Sequence, residues 1–193
     1  VEDADHAIKV GPDGVLLSTD YLLSELNARA SLLTRYLLTE DEATRSSLLM
    51  LIEDNHREQL ITLMRRFHRI RISVRLLDLP LSTFLPMPSD DQAMNKLAEE
   101  MNLSVHWLRM RILALRDTNP QAGLRGARVF ALFPSLLNVQ VRAIIGAAKA
   151  LLSNESLEVR PTIVVPTVAT SQEVATIVRK IHSFAQLFLD GAP

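Results

Sequence analysis

The sequence predicts an α/β fold, a partial TIM-barrel-like domain of about four parallel strands alternating with helices, spanning residues 1–193 as one unit. Short apolar runs alternate with longer amphipathic ones, the pattern of parallel strands joined by helices. The run at 162–168 is almost wholly apolar, as a strand covered on both faces is. A complete eight-unit barrel takes about 250 residues, so four units in this chain amount to roughly half of one. Such a half closes against a second copy or a partner chain, or stands as an open sheet whose uncovered edge invites association. A homo-oligomer or a partner chain is therefore expected.

Taken in order, residues 3–10 show helical spacing and end at the turn Gly11-Pro12-Asp13-Gly14, which leads into a strand at 15–17 and then Ser18-Thr19-Asp20. Residues 21–70 read as two helices parted near Thr39, where Thr39 and Glu42 have capping-box spacing. Residues 72–77 form the second strand, closed by Leu79-Pro80 because proline lacks a backbone donor and restricts its predecessor. Ser89 and Gln92 suggest a second capping box for a helix to about Arg116, with Leu97, Met101, Val105, Leu108, Ile112 and Leu115 recurring at threes and fours until Asn119-Pro120. A third strand is expected at 129–131, a helix at 137–152 and a fourth strand at 163–165. Thr170 and Glu173 cap the final helix, which runs to about Leu189.

A hydrophobic content of 48% is enough to bury a core and excludes disorder. Lys+Arg 21 against Asp+Glu 22 leaves a net charge of -1, which argues against a nucleic-acid partner or an anionic membrane. The absence of cysteine excludes disulfides, thiolate zinc sites and cysteine nucleophiles. No apolar run looks long enough for the roughly 18 to 20 residues that cross a bilayer, and the start Val1-Glu2-Asp3-Ala4-Asp5 is acidic where a signal peptide is basic and then apolar. The expectation is a soluble, cytoplasmic protein without a membrane partner, either a processed product or a piece of a longer chain.

In α/β folds the residues at the carboxyl ends of the strands face the ligand crevice. Asp20, Arg75, Asp78, Arg125 and Arg128 occupy those positions. Guanidinium forks match carboxylate and phosphate oxygens, so converging arginines point to a phosphorylated carboxylic acid as ligand. The competing reading makes Arg75 a structural ion-pair partner of Asp78 or Asp20.

The same residues carry a family resemblance. Val74-Arg75-Leu76-Leu77-Asp78-Leu79-Pro80-Leu81-Ser82-Thr83-Phe84-Leu85-Pro86 resembles the R-L-L-D-P-P-L-H-E-F-L-P strand of the pyruvate phosphate dikinase family. Residues 119–128 resemble its N-P-x-x-G-x-R-G-C-R segment, Val139-Gln140-Val141-Arg142-Ala143-Ile144 its M-Q-x-R-A-I helix, and residues 160–166 its P-E-I-M-I-P-L-V strand. Glu2-Asp3-Ala4 and residues 13–20 resemble E-D-A followed by E-G-I-G-L-C-R-T-E. The resemblance implies a phosphoenolpyruvate/pyruvate-binding barrel that exchanges a phosphoryl group with a histidine on a separate domain. It implies Arg75 and Arg125 as contacts to the phosphoryl group and carboxylate, with Arg128 nearby.

Departures from the pattern shape the functional expectation. Ser18 stands where the family has the arginine of R-T-E, Asp20 replaces the glutamate, and Ser82 replaces a histidine. The later family segments, which supply the magnesium carboxylates and the acid that protonates the enolate, do not follow Val168 in this chain. No cofactor is therefore expected in this chain, although the family uses magnesium, and no turnover is expected from it alone. Binding of phosphoenolpyruvate or pyruvate without catalysis is the first reading. The alternative is a non-catalytic protein-interaction or assembly module in which the arginines are structural.

Other clusters read more plainly. Arg65, Arg66, His68, Arg69 and Arg71 have no interleaved aromatic stacking platform, in a chain of balanced charge, and suit a solvated helix end. His6, His56, His68, His106 and His182 have no ligand spacing, and Ser18, Thr19 and Ser82 lie in no nucleophile elbow. Leu32, Leu33, Tyr36 and Leu37, with Leu48, Leu49, Leu51 and Ile52, read as core, and Trp107 as a buried or interface residue.

Overall fold

The structure is a computed structural model and describes residues 4–24, 32–117, 119 and 121–189. The chain runs through α1 (Ala4–Val10), β1 (Gly14–Ser18), α2 (Thr19–Ser24), α3 (Leu32–Leu38), α4 (Glu42–Phe67) and β2 (Arg71–Arg75). A 3-10 turn (Leu81–Phe84) leads to α5 (Asp91–Met101), α6 (Val105–Leu115), α7 (Ala127–Leu132), α8 (Pro134–Glu155), β3 (Thr162–Val164) and α9 (Ser171–Leu189). Parts of the expected helices at 3–10 and 21–70, and the Pro120 stop, lie outside the described residues.

The strands form a parallel sheet in the order β1-β2-β3, with Ser18 opposite Arg75 and Arg75 opposite Val164. Ile72 and Val74 of β2 are buried, whereas Arg71, Ser73 and Arg75 on its other face are not. Leu16, level with Ser73, is 58% exposed, and β3 has Thr162 exposed with Ile163 and Val164 half-buried. The sheet is thus covered on one face, which corrects the expectation that 162–168 is covered on both. Arg75 emerges from the open face.

The covered face meets α4, which packs along α8. Leu48, Ile52, Leu60, Met64 and Phe67 of α4, with Leu137, Val141, Ile144, Ala147 and Leu151 of α8, recur at helical spacing and form the centre of the core. Leu33, Tyr36 and Leu37 join them, while Leu51 faces solvent. Among the described residues α8 alone has the length and apolarity of a membrane span, with a mean hydropathy of 1.3 over a window that is 56% buried inside the protein. The helix expected at 137–152 lies within α8.

The expected strand at 129–131 is helical, lying within α7. A short apolar run does not distinguish a strand from a buried helix. Here Gly126 turns the chain at φ 52° and Pro134 starts α8 at its first turn, leaving one compact helical segment whose Val129 and Phe130 enter the core. The single helix expected to reach Arg116 is two helices, because Asn102 closes α5 in the left-handed region and Ser104 caps α6. The apolar stripe runs across the break because Leu97, Leu108, Ile112 and Leu115 enter the same core.

Two caps also move. Asp41 accepts the Thr44 N–H at 2.7 Å, and Asp90 accepts the Ala93 N–H at 3.0 Å, displacing the expected Thr39 and Ser89 caps. The third capping box forms as read: Thr170 accepts the Glu173 N–H at 3.2 Å, and Glu173 accepts the Thr170 N–H at 3.1 Å.

Candidate functional site

The carboxyl ends of β1 and β2, the loop before α7 and the loop after β3 meet around four charged side chains. Ser18 and Arg75 are register partners, so the Arg75 guanidinium reaches the Ser18 hydroxyl at 3.1 Å. Asp20, on the first turn of α2, is 1% exposed. A carboxylate this deep needs partners on both oxygens. Oδ1 accepts the backbone N–H groups of Asp78 at 2.8 Å and Leu79 at 2.9 Å; Oδ2 accepts from Ser18 Oγ at 2.7 Å and Arg75 Nη2 at 3.2 Å.

Asp78 continues the network outward. Its Oδ2 accepts from Arg125 Nη2 at 3.0 Å and lies 4.0 Å from Arg75 Nη1, while its Oδ1 accepts the Thr167 hydroxyl. Burial alone raises the Asp78 pKa, but the Thr167 hydroxyl, the Arg125 guanidinium and the more distant Arg75 charge outweigh it and hold the carboxyl below its ordinary value. One carboxylate therefore lies between two guanidiniums. The Nε–H groups of Arg75 and Arg125 are buried and have no acceptor among the described residues.

Behind this layer Gln140 ties α8 to the ends of β1 and β2. Its Oε1 accepts from the Thr19 hydroxyl and from the Leu77 N–H, each at 2.9 Å, while its Nε2 donates to the Leu136 carbonyl at 3.1 Å. Motif reading included Gln140 in the M-Q-x-R-A-I match without giving it a role, and did not single out Thr167. A glutamine on the buried face of α8 was the further signal for a role of Gln140; Thr167 gave none.

Of the sequence-derived residues, the structure brings Asp20, Arg75, Asp78 and Arg125 together. Arg128 instead donates to the carbonyls of Gln121, at 3.1 Å, and Ala122. Ser18 serves as a hydroxyl link between Asp20 and Arg75. The basic cluster is partly paired, with Arg65 bound to Glu155 at 2.6 Å and Arg66 to Asp5 at 3.0 Å.

Magnesium does not fit this arrangement. A hard dication needs oxygen ligands with lone pairs to give, whereas all four oxygens of Asp20 and Asp78 take hydrogen bonds or ion pairs and two guanidiniums flank them. Among the described residues no group of three or more His, Asp or Glu side chains could hold a metal ion.

The profile of the PEP-binding domain of PEP-utilising enzymes matches residues 3–191. The chain belongs to this family. Its relatives include the pyruvate, phosphate dikinase of Giardia intestinalis, 33% identical over 173 residues, which make up 89% of this chain and 19% of that protein. The pyruvate, phosphate dikinase of Rhizobium meliloti (strain 1021) is 31% identical over 185 residues, 95% of this chain and 20% of that protein. The chloroplastic enzyme of Mesembryanthemum crystallinum is 30% identical over 186 residues, with coverage of 96% and 20%. The chain thus spans about a fifth of the length of these curated relatives. Membership puts the Arg75, Asp78 and Arg125 cluster inside a domain named for phosphoenolpyruvate binding.

Proposed function

We propose that these 193 residues form one partial, TIM-barrel-like domain that binds phosphoenolpyruvate or pyruvate at Arg75 and Arg125 and does not turn it over by itself. The observation that carries this reading is the convergence of the two guanidiniums on a single carboxylate oxygen, 3.0 and 4.0 Å away. Guanidiniums that converge on an internal carboxylate also suit a ligand's carboxylate or phosphoryl oxygens. Their buried Nε–H groups, without an acceptor among the described residues, add donors. Arg128 becomes a third contact if it leaves the carbonyls of Gln121 and Ala122.

Binding without turnover follows from charge. Phosphoryl transfer needs cations around the migrating group, yet Ser18 supplies a hydroxyl where the family pattern has an arginine, and Asp20 with Asp78 balances the two arginines that remain. Calorimetric titration with phosphoenolpyruvate, with and without magnesium, tests the reading. Saturable binding that disappears in Arg75→Ala/Arg125→Ala supports it. No heat at millimolar ligand, or pyruvate-phosphate exchange by the purified chain, overturns it.

The second reading, an assembly module, is favoured by the ion pairs that occupy both arginines and by the open sheet face around Leu16. In that case the double substitution lowers stability whether or not ligand is present, and a second copy or a partner chain covers the sheet.

A further inference from the structure

We propose that the Asp78 carboxylate is the internal occupant of the anion site, held between Arg125 and Arg75, and that an anionic ligand enters by displacing it. The inference rests on the binding reading above and adds the residue that sets its affinity. Asp20 and Asp78 are both acidic and both contact the arginines, but only one of them can leave. Asp20 is sealed in, with side-chain exposure of 2%, and is fastened to two backbone N–H groups. Asp78 is 13% exposed, beside Arg125 at 19% and Arg75 at 34%, and its carboxylate is held by the side chains of Thr167 and Arg125. A rotation of its side chain frees Arg125 without moving the sheet.

The backbone around Asp78 is arranged to present its holder. Thr167 has φ 51°, a left-handed conformation that is sterically poor for a β-branched residue. Gly126 accommodates it: a Cβ at Gly126 would stand 2.7 Å from Thr167 Cβ, 2.8 Å from the Pro166 carbonyl oxygen and 3.1 Å from Asp78 Oδ1. Strained backbone is retained where the neighbourhood over-determines it, and here the Thr167 hydroxyl is the group so positioned. Charge completes the argument. Arg75 and Arg125 against Asp20 and Asp78 sum to zero, so the resting site has no net attraction for an anion until Asp78 withdraws.

Asp78→Asn tests the inference directly. The amide oxygen still accepts the Thr167 hydroxyl, while the carboxylate charge is lost and Arg125 is released. Phosphoenolpyruvate and inorganic phosphate are titrated at low salt into the wild-type chain, Asp78→Asn and Arg75→Ala/Arg125→Ala. Phosphoenolpyruvate binding at least about tenfold tighter in Asp78→Asn than in wild type is expected; binding in Asp78→Asn with wild type silent supports the role of Asp78 and overturns ligand binding by the unaltered chain. Equal or weaker binding in Asp78→Asn, with the arginine double variant silent, overturns the role of Asp78 and leaves the anion site standing. Silence in both wild type and Asp78→Asn, or undiminished binding in the arginine double variant, overturns both. A measurement on the unaltered chain guards against misfolding of the variant. Saturating ligand shifts the carboxylate ¹³C resonance of Asp78 and leaves that of Asp20 in place; a bound complex in which Asp78 does not move refutes displacement.

Discussion

The Asp20 carboxylate accepts the backbone N–H of Asp78 at 2.8 Å, and this bond fixes where the chain leaves β2. The same oxygen accepts the Leu79 N–H, so two backbone donors at the sheet's end depend on one buried acceptor. Asp20→Ala leaves both unsatisfied and uncouples Arg75 from its closest acid. The expected loss is about 3 to 5 kcal/mol of stability at pH 7, measured by urea unfolding. A loss below about 1 kcal/mol would mean that water replaces the carboxylate readily.

Gln140 makes the corresponding bridge from the helical layer. Gln140→Leu preserves bulk but removes the acceptor shared by the Thr19 hydroxyl and the Leu77 N–H. Each buried donor left unpaired costs about 1 to 3 kcal/mol. The variant is expected to unfold at lower urea, with accelerated amide exchange at Leu77. Unchanged exchange at Leu77 would show that its hydrogen bond is not maintained by this side chain.

These two bridges show how far the sequence could be read. The strand ends bearing Ser18-Thr19-Asp20 and Arg75 to Asp78 were legible to within two residues, β2 ending at Arg75 where 77 was expected, because short apolar runs bounded by turns and proline locate the ends of strands. The Arg75–Asp20 pair was foreseen as one of two readings, since the residues sit at equivalent strand ends. Arg128 was read with Arg125 at an expected third strand, but that segment is α7, whose first turn directs Arg128 to the loop carbonyls. Local pattern does not encode that choice. The third strand failed for a related reason: Val129-Phe130-Ala131 is apolar in either conformation, and Gly126 with Pro134 decides for the helix. Pairings such as Arg142 with Glu53, 3.2 Å apart and far apart in sequence, have no local signal at all.

Gly126 is where a single methyl group is expected to do most damage to the site. Its φ of 52° disfavours any L side chain, and the contacts a Cβ would make are with Thr167 Cβ and backbone oxygen. Gly126→Ala is expected to destabilise the chain by about 2 kcal/mol or more, and to displace Thr167 from Asp78. Proton and nitrogen shifts at Thr167 and Arg125 would report the displacement. A variant as stable as the parent, with those shifts unmoved, contradicts the close packing of the two loops.

His56 provides the acid sensitivity of the core. It is 2% exposed, neither ring nitrogen has a hydrogen-bond partner among the described residues, and burial lowers its pKa from 6.5 to about 4. The unfolded chain therefore binds a proton at His56 between those values while the folded chain does not. Stability from this group is fully present above pH 6.5 and falls as pH drops toward 4, by up to roughly 3 kcal/mol. Glu53, one turn earlier on α4, acts in the opposite direction. Burial raises its pKa against the opposing Arg142 and Arg57 charges, so its own contribution improves on acidification. Asp78 has a lowered pKa and loses its contribution only below the ordinary carboxylate range. His56→Leu is thus expected to flatten the stability profile between pH 7 and about pH 4.5 while leaving the steeper loss at lower pH. Urea midpoints measured across that range check it: a wild-type profile that is already flat, or an unchanged slope in His56→Leu, would place the acid response elsewhere.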